Sequence, residues 1–509
     1  MTVYPSMEEI KAFAAQGYRK APVAYETLSD GVTPIALLRR LKKKSAHCYI
    51  LESVQNQEFW GRYTFLGYDP ALGLSCMNGR LLLKDRNGAL VREENDASPA
   101  KVIRELLTEY RSPRIEGMPS FTGGLVGYFA YDYIKYNEPK LRLDAADADG
   151  FQDVDLMLFD KVVAFDNVKQ KLICVANMEL AAPDGTSEEE REAFLRESYE
   201  GAKKELREML RCIQGGEEAD IPRAHVSSDM RPLFGREAFC EMVERAKRHI
   251  REGDVFQVVL SNRLEAEFEG SLFDVYRTLR TVNPSPYMFY FSGDDIEVAG
   301  ASPETLVKLE NGTLRTFPLA GTRPRGRSAA EDTALEKELL SDEKERAEHN
   351  MLVDLGRNDL GRISAFGTVE VERYMQIERY SHVMHIGSTV RGRLREGLTA
   401  IDAIDAVLPA GTLSGAPKIR ACEIINELED NKRGVYGGAV GYLDFTGNMD
   451  TCIAIRLAFL KNGKIFVRSG AGIVADSVPE KEYEECLNKA KAVMKAVAEA
   501  ETLGNGAEL

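Results

Sequence analysis

Alternating apolar and polar positions recur along this chain and predict many β-strands. In the second half, the alternation is clear in the runs VFQVVLSNRLEAEF, PYMFYFSGDDIEVAG, TLVKLENGTLRTFPLAGT, GTVEVERYMQIERYSHVMHIGSTVRG, YGGAVGYLDF, DTCIAIRLAFL and KIFVRSGAGIV. The first half adds CYILES, YTFLGYDP and two longer runs that begin at Leu72 and Leu156. Asn-Gly pairs at 78–79, 87–88, 311–312 and 462–463 favour tight hairpins, so neighbouring strands are expected to pair antiparallel.

Apolar residues at three- and four-residue spacing predict helices between these strands. In the first half this spacing covers 7–17 and 97–112, where Ser98 and Pro99 are favourable at a helix start. A long charged segment over 182–222 has apolar positions at the same spacing, which predicts a helix on the domain surface. Further helices are expected over 235–252, 328–358, 417–429 and 479–499.

Together these elements predict an α+β fold, in which mostly antiparallel sheets form a β-sandwich-like core flanked by helices. Because hairpin signals dominate, a classic βαβ nucleotide-binding fold is not expected. The charged segment is a natural boundary between two units. We therefore expect an N-terminal domain over 1–223 and a second domain over 224–509.

Composition and charge narrow the classes of partner. The chain has 509 residues, of which 44% are hydrophobic and 29% charged, and its formal net charge is −15. Such a charge argues against broad contact with nucleic acid or with an anionic membrane. The eight cysteines are scattered without a metal or disulfide pattern, and neither a signal peptide nor a membrane-spanning run is apparent. These features predict a soluble cytoplasmic protein with reduced cysteines.

Two predicted helices each carry a pair of glutamates three residues apart, Glu345 with Glu348 and Glu482 with Glu485. Each pair lies on one helix face, and Lys489 follows one turn after the second pair. Paired carboxylates on two helices suit a hard cation such as Mg²⁺, which leaves coordination sites for substrate oxygens. Ordinary surface charge pairing gives the same spacing, so the spacing alone leaves both interpretations open.

Glycine-rich segments and histidines provide further candidates. The run RSGAGIVADS over 468–477 follows a strand and is consistent either with backbone N–H groups turned toward an anion or with a tight turn. The loop over 409–421 lacks phosphate-loop spacing, which excludes nucleotide binding of that kind. His382 and His385 are three apart on a predicted strand and should face opposite sides, so they should not serve one site. A packed-core role is the alternative for both, and for His349.

The ordered motifs PLAGTRPRG, EHNMLVDLGRNDLGR, SHVMH, PAGTLSGAPK, YGGAVGYL, AIR and SGAGIVADS resemble the chorismate-utilising enzymes, and among them the component I branch of the anthranilate synthases. The resemblance covers nearly the whole chain, from Leu51-Glu52-Ser53 through the segment 235–499. It implies the chorismate-binding fold and a Mg²⁺-dependent lyase of tryptophan biosynthesis, which converts the dianion chorismate to anthranilate and pyruvate.

The resemblance also implies roles for individual residues. It assigns Mg²⁺ to Glu348 and Glu485, supported by Glu345 and Glu482. It assigns proton donation to the leaving C4 hydroxyl to Glu304, and links His385 to pyruvate release. The remaining residues implied for the catalytic cleft are Thr412, Gly321, Thr322, Tyr436, Arg456, Gly470, Ala471, Gly472 and Lys489.

Two positions separate this chain from relatives with other products. Isochorismate and salicylate synthases have a water-activating lysine where this chain has Gln257, and an amide is no base at neutral pH. Aminodeoxychorismate synthases have a nucleophilic lysine where this chain has Ala320. The resemblance therefore implies that ammonia attacks chorismate at C2. An aminodeoxychorismate synthase-type enzyme and a non-catalytic tryptophan-binding regulator remain the alternatives.

The resemblance further implies a partner and an effector. The chain has no glutaminase motif, so ammonia should come from a separate glutamine amidotransferase subunit, in a heterodimer or a heterotetramer. L-Tryptophan is expected to inhibit by binding a separate site. The residues implied for that site are Leu51, Glu52, Ser53, Arg62, Pro286, Tyr287 and Met288.

Overall fold

The structure is a computed structural model that describes residues 3–53, 61–379 and 383–502. Its strands in the first half of the chain are β1 (Lys20–Leu28), β2 (Cys48–Glu52), β3 (Tyr63–Tyr68), β4 (Leu72–Met77), β5 (Arg80–Asp85), β6 (Leu90–Glu94), β7 (Gly124–Phe129), β8 (Val154–Phe159), β9 (Lys161–Asp166) and β10 (Lys171–Glu179). Those in the second half are β11 (His225–Val226), β12 (Arg231–Pro232), β13 (Gln257–Glu269), β14 (Tyr287–Ser292), β15 (Glu297–Ser302), β16 (Thr305–Glu310), β17 (Thr313–Thr316), β18 (Leu319–Pro324), β19 (Glu370–Arg379), β20 (Val383–Arg393), β21 (Gly415–Ala416), β22 (Ala439–Asp444), β23 (Met449–Ile453), β24 (Leu457–Lys461) and β25 (Lys464–Ile473).

Helices connect these strands. They are α1 (Met7–Ala15), α2 (Pro34–Lys44), α3 (Pro99–Glu109), α4 (Glu188–Gly215), α5 (Arg236–Arg251), α6 (Phe273–Val282), α7 (Ala329–Ser341), α8 (Glu343–Gly361), α9 (Ala400–Val407), α10 (Lys418–Glu429) and α11 (Pro479–Thr502). Two short 3₁₀ turns cover Tyr131–Tyr136 and Gly411–Leu413. Among the described residues, no helix is long and apolar enough to cross a membrane.

The described strands form two large antiparallel sheets. In the first, the order is β1-β10-β9-β3-β2-β14-β15-β24-β25-β13-β11, with β12 and β21 also paired to β13. In the second, the order is β18-β20-β17-β16-β23-β22-β7-β8-β4-β5-β6, with β19 paired to β20. Each sheet combines strands from both halves of the chain: β2 pairs with β14, and β7 pairs with β22. The predicted boundary near residue 223 stays a prediction.

Apolar side chains place the sheets face to face with helices outside. One buried cluster lies between the sheets, because it joins Tyr49 and Phe289 of the first sheet to Val126 and Tyr442 of the second. A second cluster joins the first sheet to α2, α4, α6 and α11, and a third joins the second sheet to α3 and α9. The predicted α+β fold with a sandwich-like core and flanking helices is therefore confirmed.

Several local predictions need correction. The helix expected over 328–358 is two helices, because the Asp342 carboxylate accepts hydrogen bonds from the backbone N–H groups of Lys344 and Glu345 and starts a new one. The segment Gly470–Gly472 is the interior of β25, paired with β13, which confirms the strand predicted from KIFVRSGAGIV and shows that the tight turn considered for the same segment is wrong. The sequence interpretation also missed α2, α6 and α9.

Candidate active site

A cleft of about 960 Å³ opens between α8 and α11 and reaches down to β13 and β25. Most of the residues implied for catalysis and substrate binding lie on its walls, although they come from distant parts of the chain. Those that line the cleft are Glu304, Glu348, Thr412, Tyr436, Arg456, Gly470, Gly472, Glu482, Glu485 and Lys489. The fold therefore collects acidic, basic and hydroxyl groups around one cavity.

Glu304 is a carboxyl on the wall of this cleft, and its pKa suits proton transfer near neutral pH. It lies just before β16, and its Oε1 accepts a hydrogen bond of 3.3 Å from Thr412 Oγ1 in the 3₁₀ turn. Burial raises the pKa of Glu304 to about 7, against the opposing effects of Thr412 and of the positive charges of Arg456 and Lys489. A carboxyl that is half protonated near neutral pH can donate a proton to a leaving group.

His385 belongs to a second group beside the cleft, on the paired strands β18 and β20. Its Nδ1 lies 2.9 Å from the Gly321 carbonyl oxygen and 3.1 Å from Thr322 Oγ1. Because the carbonyl only accepts, Nδ1 carries the proton, and Nε2 is the basic nitrogen of the neutral ring. Burial lowers the pKa of His385, and the positive charge of Arg456, which lines the cleft, lowers it further. A neutral imidazole at pH 7 can accept a proton.

A bulge in β18 explains the glycine beside His385. The register between β18 and β20 shifts between Ala320 and Thr322, and Gly321 has a φ of +66°. A Cβ at Gly321 would also lie only 3.1 Å from Glu345 Oε2. Glycine adopts this backbone without steric cost, whereas a larger residue would be strained there and would displace the Glu345 side chain. Gly321, Thr322 and His385 are not among the residues that line the cleft itself.

The four predicted metal ligands divide into two groups. Glu348, Glu482 and Glu485 line the cleft, whereas Glu345 is paired with Arg323 at 3.3 Å. Burial raises the pKa of Glu348 and of Glu482, and the neighbouring Glu485 carboxylate raises both further. Carboxylates that repel one another across two helices are a donor set that a divalent cation would stabilise. The chemistry of these residues therefore fits Mg²⁺.

The glutamates do not form a compact cluster. In the described part of the chain, only one group of three histidine, cysteine, aspartate or glutamate side chains has its ligand atoms within 4.8 Å of one another. It consists of His249, Glu252 and Asp254 and lies away from the cleft. In that set Asp254 is already hydrogen-bonded to His249 and paired with Arg420, both at 2.8 Å. We therefore assign no metal to it.

The floor of the cleft is formed by strand backbone and by one tyrosine. A Cβ at Gly470 would lie 2.9 Å from the Tyr436 hydroxyl oxygen, and a Cβ at Gly472 would lie 2.7 Å from Gln257 Nε2. Glycine at both positions lets these two side chains lie against β25. Ala471, between them, is only 1% exposed and packs into the core on the other side of the strand, as strand alternation requires.

A buried ionic network adjoins this floor through Arg468, which itself lines the cleft, and it was not predicted from the sequence. The Glu429 carboxylate pairs with Arg433 at 2.6 Å and with Arg468 at 2.7 Å, and all three side chains are almost fully buried. The Arg433 guanidinium also lies 5.9 Å from the Tyr436 ring centroid. Two arginines against one glutamate leave an excess of positive charge below the part of the cleft formed by Tyr436.

A separate pocket of about 330 Å³ lies where β2 meets β14. All the residues implied for an effector line it: Leu51, Glu52, Ser53, Arg62, Pro286, Tyr287 and Met288. Two of the charged groups already have partners, since Glu52 pairs with Arg280, and Arg62 pairs with Asp166 at 3.0 Å. The Tyr287 hydroxyl bonds to Thr305, the residue after Glu304, at 2.9 Å and to Asp450 at 2.8 Å.

Comparisons with known proteins identify the family to which this arrangement belongs. The model of the chorismate binding enzyme family matches residues 46–495. The chain belongs to the chorismate-binding enzyme family. Two similar relatives in this family are both named anthranilate synthase component 1. That of Acetivibrio thermocellus is 45% identical over 98% of this chain and 99% of the relative, and that of Pseudomonas aeruginosa is 47% identical over 97% and 99%.

Solved structures of chorismate-binding enzymes share the fold. Anthranilate synthase component I from Streptococcus pneumoniae TIGR4 superimposes with a TM-score of 0.70 and 39% identity, over 92% of this chain and 98% of that one. The menaquinone-specific isochorismate synthase of Escherichia coli has a TM-score of 0.67 at 18% identity, over 96% of this chain and 98% of that one, and supports the fold alone.

The structure also places the remaining residues that the sequence analysis discussed. Ala320 is buried in β18, and His349 is fully buried with Nε2 2.6 Å from Ser388 Oγ, as the packed-core alternative requires. His382 lies outside the described residues. Lys344 and Lys481 line the cleft but were not singled out from the sequence, although each lies four residues before a predicted metal ligand.

Proposed function

We propose that this protein is the synthase subunit of an anthranilate synthase, a lyase that converts chorismate and ammonia to anthranilate and pyruvate. It would act in the first committed step of tryptophan biosynthesis. The observation that carries the proposal is the position of Glu304, a carboxyl with a pKa of about 7, in a cleft with paired carboxylates and basic side chains. The binding of dianionic chorismate requires groups that bind anions, and the departure of its hydroxyl requires a proton donor.

The residues of the cleft would hold chorismate by its anionic groups. Bound Mg²⁺ would neutralise the ring carboxylate, and Glu348 and Glu485 would be its principal protein ligands. Arg456 and Lys489 would attract the second carboxylate, and the floor at Tyr436 would orient the ring. Lys489 is already positioned by bonds to Glu485 at 2.6 Å and to the Gly470 carbonyl oxygen at 3.2 Å.

In the first step ammonia adds at C2, the ring double bonds shift, and the C4 hydroxyl leaves as water. The departing oxygen takes a proton from Glu304, and the added amine loses one, which gives 2-amino-4-deoxyisochorismate. Thr412 would hold the Glu304 carboxyl toward the cleft through its hydrogen bond. A positioned acid of this kind contributes about 10²–10⁴-fold to a rate.

In the second step the C2 proton is removed, the C3–O bond breaks, and the enolpyruvyl group leaves as the enolate of pyruvate, which takes up one proton at its methylene carbon to give pyruvate. His385 is the base that we assign here, since its Nδ1–H donates to Gly321 and its Nε2 can accept a proton. Formation of the aromatic ring drives this step. The protein therefore has mainly to position the intermediate and move one proton.

The nucleophile would be ammonia itself. Ala320 supplies no amine, and Gln257, which lines the cleft, supplies no base for water. The ammonia would come from a separate glutamine amidotransferase subunit. The second pocket would bind L-tryptophan as a feedback inhibitor, with Ser53 contacting its polar end and Tyr287 and Met288 its side chain.

The test is to incubate the purified protein with chorismate, Mg²⁺ and an ammonium salt, and to measure anthranilate by fluorescence and pyruvate by a coupled assay. Equal amounts of both products are expected, with none when glutamine replaces ammonium. A glutaminase partner should restore the use of glutamine. Formation of 4-amino-4-deoxychorismate without release of pyruvate would favour the aminodeoxychorismate type, and no turnover under any condition would favour a non-catalytic regulator.

A further inference from the structure

Two lysines occupy matching positions on the helices that carry the metal-ligand candidates. Lys344 lies in the first turn of α8, four residues before Glu348, and Lys481 lies in the first turn of α11, four residues before Glu485. Both lysines are exposed and both line the cleft. Because residues four apart share one helix face, each lysine lies one turn from a carboxylate on the side that faces the cleft.

The stability of the helices does not explain these lysines. The N-terminal end of a helix carries partial positive charge, so a cation in the first turn is unfavourable. Within the described ranges neither lysine has an ion-pair partner, whereas Lys489, further along α11, pairs with Glu485 at 2.6 Å. Exposed lysines at the positive ends of two helices are consistent with a role in binding an anion.

The two helix ends face each other across the cleft. Lys344 and Glu348 of α8 and Lys481 and Glu485 of α11 all line the same cavity. The first turns of α8 and α11 and their lysines therefore surround one opening. Arg456, Arg468 and Lys489 add further cations to the same cavity.

We propose that Lys344 and Lys481 form a cationic rim at the mouth of the cleft, which attracts the anionic substrate and raises its rate of capture. This inference rests on the proposed function, since it takes a dianion as the substrate. A protein with a net charge of −15 repels a dianion at long range. Within about 8–10 Å, the screening length at moderate salt, local lysines dominate the field that the substrate meets.

The experiment uses the double variant Lys344→Gln/Lys481→Gln. Its matched control is Lys491→Gln/Lys495→Gln, which removes the same charge from exposed positions on α11 that do not line the cleft. The kcat and KM for chorismate are measured at low and at high ionic strength. We expect kcat/KM of the rim variant to fall about tenfold at low salt, mainly through KM, and less than about twofold at high salt. The control should follow the wild type.

A second readout separates attraction from damage to the cleft. Calorimetric titration with Mg²⁺, without substrate, should show equal or tighter binding by the rim variant, because it has lost cations beside Glu348 and Glu482. A distorted cleft would instead weaken the binding of Mg²⁺ and of chorismate together, and that result would overturn the proposal of a cationic rim. So would a loss of kcat/KM that is the same at both salt concentrations, or no loss at all. Wild-type protein that makes no anthranilate would overturn the proposed function and the rim with it.

Discussion

The raised pKa of Glu304 predicts how the activity of the protein depends on pH. Burial raises this pKa from 4.5 to about 7, so at pH 8 about one molecule in ten still carries the proton. At the ordinary value of 4.5 that fraction would be about 300-fold smaller. Since the protonated form is the proton donor, activity should fall as pH rises through about 7.

Two variants test this assignment of the acid. Glu304→Gln removes the acid and should lower kcat about 10²–10⁴-fold. Thr412→Val removes the hydrogen bond that lowers the pKa of Glu304. The descending limb of the pH–activity profile, where activity falls as pH rises, should therefore lie at higher pH in this variant than in the wild type. Thr278→Val, a buried threonine in α6 outside both pockets, is the control and should leave the limb in place.

The assay is anthranilate fluorescence between pH 6 and pH 9, with total ammonium adjusted so that free ammonia stays constant. Without this adjustment, the rising concentration of free ammonia would mask the descending limb. Circular dichroism of each variant checks that it is folded. Glu304→Gln with turnover within about fivefold of the wild type, or with the same descending limb, would refute the role of Glu304 as the acid.

The remaining predictions concern the metal, the second step and the effector. Glu348→Gln and Glu485→Gln should each weaken Mg²⁺ binding by calorimetry at least about tenfold and nearly abolish activity, and wild-type turnover at limiting Mg²⁺ would contradict the assignment. His385→Met should accumulate the aminated, non-aromatic intermediate in chromatography, whereas unreacted chorismate alone would exclude His385 from the second step. Ser53→Phe should retain ammonia-dependent activity but should need about tenfold or more tryptophan for half-inhibition. Inhibition curves that overlap with those of the wild type would place Ser53 outside the effector site.

Strand pattern and hairpin signals predicted most of the sheets because side-chain alternation is a local property. The break at Asp342 was also predictable, since Asp342 followed by Glu345 three residues later is a helix-start signal inside the long apolar repeat. By contrast, α2, α6 and α9 were missed, although Thr33 and Pro34 at the start of α2 form the same kind of helix-start signal as Ser98 and Pro99 at the start of α3. Gly470–Gly472 was placed in the strand run KIFVRSGAGIV, but a tight turn was also left open there, because composition does not reveal that Tyr436 and Gln257 need close approach to a strand.

In the candidate site, too, local sequence patterns predicted some features, whereas others depend on contacts between distant segments. Spacing alone placed Glu348 and Glu485 on helix faces, but only the fold brings α8 and α11 to one cleft. The pKa of Glu304 is raised by burial and held back by Thr412, which lies 108 residues further along the chain, so no local pattern encodes it. The same holds for the pairing of Glu345 with Arg323, which depends on the contact of α8 with β18.

The central claim is that free ammonia attacks chorismate at C2 in this cleft. The most direct measurement is to supply ¹⁵N-ammonium with chorismate and Mg²⁺ and to identify the product by NMR. The account predicts ¹⁵N-anthranilate, with the label in the amine next to the ring carbon that bears the carboxylate, together with one equivalent of pyruvate. A labelled amine para to the carboxylate, or isochorismate without label, would contradict it.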